Sequence, residues 1–236
     1  MAYTTVPKST AYFEPELYVG TGSSRTISTL NFQPDWVWIK NRGTTDRHSL
    51  FDAVRAAPNM LSSNNNDAQS AQASELTAFN TNGFTVNNAT SVNGSSANYV
   101  SWNWKAGTTS GIATDGTTTI TPTGYSFNQT SGFSIIKYTG NGVDGAYLPH
   151  GLGKSPKVMI VKRLVDTGWD WYVYHASMGN QKYIQLNTTN GISSTNGMWG
   201  SYTPTSVNMK MSNDAQIGAS GKDYIMYCFA DVQGYS

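Results

Sequence analysis

Two kinds of segment alternate along this chain: short runs dense in Ile, Val and aromatic residues, and stretches of Gly, Pro, Asn, Ser and Thr. The clearest example is Gly132–Lys162, GFSIIKYTGNGVDGAYLPHGLGKSPKVMIVK. Its apolar runs, Phe133–Tyr138 and Val158–Val161, carry the residues that suit a pleated, half-buried surface. Between them, Gly140–Gly145 and Pro149–Pro156 are turn-prone, because glycine tolerates positive φ and proline interrupts regular pairing. The pattern predicts strand, turn, short strand, turn and buried strand.

The same reading extends to the rest of the chain. Leu17–Val19 and Arg25–Leu30 are expected as short strands, and Trp36–Ile39 as a strand covered on both faces. Asn82-Gly83, Asn93-Gly94, Asn190-Gly191 and Asn196-Gly197 have the composition of hairpin turns. Val100, Trp102 and Trp104 alternate with Ser101 and Asn103, which predicts a half-buried strand with the tryptophans inward. Val207, Met209 and Met211 alternate with Asn208 and Lys210 in the same way. Trp169–Tyr174, Tyr183–Leu186 and Tyr224–Phe229 complete the strands. Pro58–Gln72 reads as a long exposed loop, and Asp67–Leu76, with its alanines and Asp67 as cap, as one or two helical turns.

These elements come twice. Tyr18-Val-Gly20-Thr-Gly22 answers Tyr138-Thr-Gly140-Asn-Gly142, and Pro34–Lys40 answers Pro156–Lys162. Tyr99–Trp104 answers Tyr224–Phe229, in the same order and at nearly constant spacing. An internal duplication of roughly a hundred residues, about one sandwich domain, accounts for this. The expected fold is all-β, two tandem antiparallel β-sandwich units of jelly-roll or concanavalin-like type. The expected organisation is an N-terminal arm at 1–16, a first unit at 17–107, a Gly/Thr-rich junction at 108–131 and a second unit at 132–236.

Composition narrows the function. Charged residues are 12% of the chain and the net charge is +1, so the surface is polar through hydroxyls and amides and steers partners weakly. There is no basic stripe of the kind a nucleic-acid binder carries. No apolar segment reaches membrane-spanning length, and MAYTTVPKST lacks the apolar core of a secretory signal, so no membrane insertion is expected and the chain is expected to be made and folded in a cytoplasm, whatever its final address. Cys228 is alone in an apolar run and reads as a small buried hydrophobe.

Little in the sequence points to catalysis. His48, His150 and His175 are scattered without metal-ligand spacing. Asp170 and His175 lie five apart on one expected strand, hence on opposite faces. His150, in Pro-His-Gly-Leu-Gly, reads as a turn histidine bonding backbone. The expectation is therefore no enzyme, no catalytic residue, no metal and no cofactor. Three aromatic residues, Trp169, Trp199 and Tyr202, are the candidates for contact with a ligand or partner. Trp199 and Tyr202 fall in a Gly/Ser/Pro-rich segment where exposed rings would stack on a sugar or anchor a protein.

HGLGKSPKVMIVK (His150–Lys162), WDWYVYHASMGNQKYIQLNTTNG (Trp169–Gly191) and YIMYCFADVQGYS (Tyr224–Ser236) resemble the repeat unit of a family of bacteriophage virion proteins. MAYTT with Ala11-Tyr12-Phe13, QPDWVWIKNR (Gln33–Arg42) and WNWKAG (Trp102–Gly107) resemble the N-terminal unit of the same proteins, found in tailed phages of marine bacteria, cyanophages included. The first unit departs from the pattern, with Leu30-Asn-Phe-Gln33 in place of HGLG. The resemblance implies a structural or tail-fibre-like role, and the family has no catalytic motif to carry across. The function expected is that of a virion surface protein, a head decoration or tail component, made in the host cytoplasm. It would assemble with other virion proteins and with copies of itself. The alternative is a receptor- or carbohydrate-binding adhesin module that engages a host surface glycan.

Overall fold

The computed structural model describes residues 6–194, 197–199 and 202–235. The chain is all-β: its described residues hold eighteen strands, one turn of α-helix and two 3-10 turns. It divides into two compact units at Ala106/Gly107. Pro7–Asn64 and Gln69–Ala106 form the first, while Gly107 onward, joined by Val6 and the short segment Asn65–Ala68, forms the second.

The first unit contains β1 (Phe13–Val19), β2 (Arg25–Ile27), β3 (Trp36–Asn41), β4 (Ser49–Asp52), β5 (Asn59–Ser62), β6 (Ser70–Ala71), β7 (Leu76–Asn80), β8 (Gly83–Val86) and β9 (Asn98–Trp104). A single helical turn, α1 (Thr90–Asn93), precedes β9. Six strands form an antiparallel sheet in the order β1-β9-β3-β4-β5-β6, and three form a smaller sheet, β2-β8-β7. One apolar cluster draws on both: Val37, Ile39, Phe51 and Tyr99 from the large sheet, Ile27, Leu76, Phe84 and Val86 from the small one. Apolar faces of two sheets have to cover each other to leave water, and that burial makes the sandwich.

The second unit contains β10 (Gly124–Asn128), β11 (Phe133–Thr139), β12 (Ala146–Pro149), β13 (Pro156–Arg163), β14 (Tyr172–His175), β15 (Lys182–Gln185), β16 (Ser193–Ser194), β17 (Asn208–Met211) and β18 (Asp223–Ala230). Its large sheet runs β10-β11-β18-β13-β14-β15-β16, and β12 pairs with β17. Ile136, Tyr138, Met159, Val161, Tyr174 and Met226 pack with Leu148, Met209 and Met211 of the small sheet.

The two units match in register. β9 lies between β1 and β3, with Tyr18 opposite Tyr99 and Trp36 opposite Trp104. β18 lies between β11 and β13, with Tyr138 opposite Tyr224 and Val158 opposite Phe229. The shared Gly-x-Gly has a steric reason. A Cβ at Gly20 would stand 2.1 Å from the carbonyl oxygen of Gly94, and one at Gly140 would stand 2.4 Å from that of Ala219. Both backbones pass too close for any side chain.

Several sequence expectations need correction. The arm expected at 1–16 already contains the start of β1, because Phe13, Glu14, Pro15 and Glu16 pair with Trp104, Asn103, Trp102 and Ser101; Met1–Thr5 lie outside the described residues. The junction expected at 108–131 is largely built into the second unit: Thr108 bridges Phe127, Ile120 is buried, and Gly124–Asn128 is the edge strand β10. No helix forms in Asp67–Leu76. Gln72 N donates to Pro58 O (3.0 Å), Gln69 Nε2 donates to Asn59 Oδ1 (3.2 Å), and β6 pairs with β5, so the segment is held extended. A one- or two-turn helix has too few hydrogen bonds to offset nucleation. That pairing also corrects the loop expected at Pro58–Gln72.

The face of β9 is inverted. Tyr99, Ser101 and Asn103 are buried toward the first core, while Val100, Trp102 and Trp104 are half-buried on the opposite face. Asn103 meets the cost of burial by donating to Glu14 O (2.9 Å) and to Ser101 Oγ (3.0 Å). Cys228 is free and buried, and burial pushes its thiol up to about 12, which makes it inert as a nucleophile.

Candidate functional site

The three aromatic candidates occupy three different settings. Trp199 is a core residue, only 1% exposed, and this corrects the expectation of a surface contact. Its indole Nε1 donates to Lys182 O (3.1 Å) and its ring stands edge-on to Tyr174, centroids 5.8 Å apart. A Gly/Ser/Pro-rich segment therefore carries a buried anchor, which local composition does not reveal. Trp169 is half-buried, and the guanidinium of Arg163 lies 4.4 Å above its ring centroid. One face of the ring is thus occupied by an internal cation. The backbone of Trp169 is fixed too, since fully buried Lys162 donates to its carbonyl at 2.6 Å. Burial lowers Lys162 to about 8, against the opposing fields of Asp170 and Asp67.

Tyr202 is the one candidate placed in an accessible cluster. Its ring meets Tyr147 edge-on, centroids 5.8 Å apart at 85°. Lys210 Nζ lies 5.5 Å from the Tyr202 ring centroid and 5.6 Å from that of Tyr147. The strands explain the grouping. Tyr147 and Lys210 are directly opposite each other in the β12–β17 pair. Their neighbours Ala146, Leu148, Met209 and Met211 point into the core, so period-two alternation turns Tyr147 and Lys210 outward. Among the described residues no carboxylate forms an ion pair with Lys210. Two rings at a right angle and an ammonium between them suit a ligand with a flat polarised face and an acceptor group. Tyr147 and Lys210 escaped the sequence reading, although the alternation at Val207–Met211 already put Lys210 opposite the methionines.

Two of the histidines are tied into local hydrogen bonds. Thr205 O can only accept, so His150 donates to it through Nε2 (3.1 Å) and accepts from Leu152 N through Nδ1 (3.2 Å). Burial lowers His150 to about 4, which keeps it neutral. Asp170 accepts from Gln185 Nε2 (2.6 Å) and Asn187 Nδ2 (2.7 Å), while His175 Nδ1 is bonded to Ser177 Oγ (2.7 Å). The two share no contact that would make them a dyad. Among the described residues, no three His, Cys, Asp or Glu side chains are placed to hold one metal ion, and no helix is long and apolar enough to cross a membrane.

These features define an all-β protein with sandwich-like units and an aromatic–lysine cluster on the small sheet of the second. Over residues 8–236 the chain matches the family described as a domain of unknown function, DUF7483, and it belongs to that family. No curated protein and no solved structure matches it.

Proposed function

We propose that this protein is a structural component of a bacteriophage particle, exposed on its surface as a head decoration or tail component and acting through assembly rather than catalysis. The observation that carries the reading is the outer face of β1. It is an edge strand, and Leu17 and Val19 on it are 62% and 54% exposed, next to exposed Pro15. The row continues inward through half-buried Val100 and Trp102, which stand opposite Leu17 and Pro15. An apolar edge of this kind is a liability for a solitary chain and an asset for one covered by a neighbour. The neighbour in this reading is another copy or another virion protein. The low charge lets identical chains pack with little repulsion, and the matched registers of the two units support descent by internal duplication. The resemblance of the motifs to phage virion proteins supplies the particle.

Sedimentation of the purified chain, with Leu17→Asp/Val19→Asp as the comparison, tests assembly, and mass spectrometry of purified particles tests location. An oligomer that the double variant dissociates supports the reading. A wild-type chain that stays monomeric at its highest soluble concentration, or is missing from particles, overturns it.

A second reading, an adhesin that holds a host glycan, is favoured by one observation, the Tyr147–Tyr202–Lys210 cluster. Glycan binding abolished by Tyr202→Ala would decide for it.

A further inference from the structure

One end of the first sandwich holds an open cavity, beside side chains smaller than those at the matching positions of the second. The correspondence is fixed by hydrogen bonds. Tyr99 donates its hydroxyl to Thr90 O (2.6 Å) and accepts from Gly94 N (2.7 Å); Tyr224 donates to Ala215 O (2.9 Å) and accepts from Ala219 N (3.1 Å). Asn41 Nδ2 reaches the Thr90 carbonyl (3.4 Å) as Arg163 Nη1 reaches that of Ala215 (3.2 Å). Asn41 thus corresponds to Arg163, Ala89 to Asp214 and Ser91 to Gln216. At all three positions the first unit has the smaller side chain.

A cavity of about 390 Å³ lies beside them, lined by Ala89 and by Asp46, Arg47, Ser74, Glu75, Thr90 and Ser91. This volume falls within the ~300–1,000 Å³ of small-molecule sites. Glu75 is fully buried in its wall. Its Oε1 accepts from Ser91 Oγ (2.7 Å) and from Arg47 Nη2, but Oε2 has no partner, and neither has the buried Nε of Arg47. A buried carboxylate oxygen left unpaired is costly, so the arrangement asks for a donor and an acceptor together. Both atoms are closed to solvent as the side chains stand, so a ligand hydroxyl meets them only once Arg47 swings aside; it can then give its proton to Glu75 Oε2 and accept from Arg47 Nε–H. The Arg47 side chain is 37% exposed, so it is the part of the wall able to yield to an entering group.

The rest of the lining selects the class of ligand. Asp46 is half-exposed, and its Oδ2 accepts from Thr44 Oγ1 (2.7 Å) and Asn41 Nδ2 (3.2 Å), which leaves Oδ1 for a second hydroxyl. Two carboxylates against one guanidinium repel an anion, and the guanidinium seated on Glu75 opposes a metal cation. We propose that this cavity binds a neutral, polyhydroxylated ligand, a single hexose unit, through Asp46, Arg47 and Glu75. The site lies in the first unit, and its occupancy depends neither on the β1 edge nor on the Tyr147–Tyr202–Lys210 cluster.

The test is saturation-transfer NMR on the full chain with glucose, galactose and mannose, with glucuronate as the charged control and a hexose-terminated oligosaccharide to separate a free sugar from a glycan end. Ala89→Leu fills the cavity, and Asp46→Asn removes the half-exposed carboxylate should the leucine perturb folding. We expect a neutral hexose to bind the wild type and Tyr202→Ala alike, and to lose at least ~10-fold in affinity in either cavity variant whose unfolding midpoint is unchanged. Failure of all three hexoses to bind at ~50 mM, binding indifferent to both substitutions, or glucuronate bound as tightly as glucose would each overturn the proposal.

Discussion

Tyr138 lies flat on Tyr224, ring centroids 5.2 Å apart and planes 18° from parallel. Tyr18 lies on Tyr99 at 5.2 Å and 17°. In each pair both hydroxyls turn back onto the segment that leads into the last strand of the unit: Tyr138 donates to Ile217 O (2.7 Å) and Tyr18 to Val92 O (2.6 Å). The stack is a clamp that ties the central strand, its neighbour and the preceding loop together. Burial raises the hydroxyl pKa of Tyr18 and Tyr138, which keeps these donors protonated.

The clamp predicts an order of cost. Tyr224→Phe strips a partner from Ala219 N and another from Ala215 O, whereas Tyr138→Phe strips only one, from Ile217 O. Losing a typical hydrogen bond costs about 1 kcal/mol, and leaving a buried group unpaired costs about 1–3 kcal/mol. Denaturant unfolding should show Tyr224→Phe as the more destabilising of the two. Equal midpoints would mean that the hydroxyl of Tyr224 is not a structural tie.

A steric prediction concerns Gly140. Alanine there puts Cβ 2.4 Å from Ala219 O and 2.6 Å from the carbonyl carbon of Gly218, both backbone atoms that cannot swing aside. Gly140→Ala should destabilise the second unit by several kcal/mol, as overpacking against fixed atoms does. Gly116, with nothing near its Cβ position, is the control, and Gly116→Ala should leave the midpoint within about 0.5 kcal/mol. A Gly140→Ala chain as stable as the control would show that the two segments can separate freely.

Much of the strand framework was legible because strand signals are local. β-Branched and aromatic runs marked β3, β9, β11, β13 and β18, and the paired Tyr and Gly-x-Gly motifs marked the matching registers. What alternation could not give was the identity of the inward face. In β9 the large side chains Trp102 and Trp104 alternate cleanly with Ser101 and Asn103, yet the polar pair faces the first core. Its internal bonds make that possible, and they depend on β1 lying alongside. The candidate site was harder to read for the same reason. Tyr147 and Lys210 are sixty-odd residues apart and meet only through the pairing of β12 with β17. Trp199 looked exposed from its neighbours but is held inside by Tyr174 and the Lys182 carbonyl.

That inversion carries its own prediction. Trp36 is 1% exposed and packs against Trp104 with ring centroids 4.5 Å apart, whereas Trp102 is half-buried. Trp36→Ala should cost about 3–5 kcal/mol, the range for a large aromatic lost from a packed interior. Trp102→Ala should cost clearly less, because part of its surface already meets water. Equal losses in the two variants would place Trp102 in the interior after all.

The pH dependence of stability should carry the mark of His150. In the folded protein its pKa is lowered to about 4 by burial, partly opposed by the hydrogen bond to Thr205, against 6.5 when unfolded. Below pH 6.5 the unfolded chain takes up a proton that the folded chain refuses until about pH 4. The unfolded state then binds more protons, so stability must fall as pH drops through this window. The loss from this group amounts to about 3 kcal/mol by pH 4 and is absent at pH 7.5. His48, also lowered by burial and by Lys40, acts in the same direction. Asp115 and Asp166 have their pKa values held below 3.8 by hydrogen bonds, chiefly from Thr117 and Arg163, so their stabilising contributions are lost at still lower pH. His150→Gln keeps a donor and an acceptor but cannot titrate. Urea midpoints measured from pH 7.5 to 4 should therefore fall more steeply in the wild type than in the variant, the two curves diverging below pH 6.5. Parallel curves would mean that His150 takes up its proton in the folded state as readily as in the unfolded one.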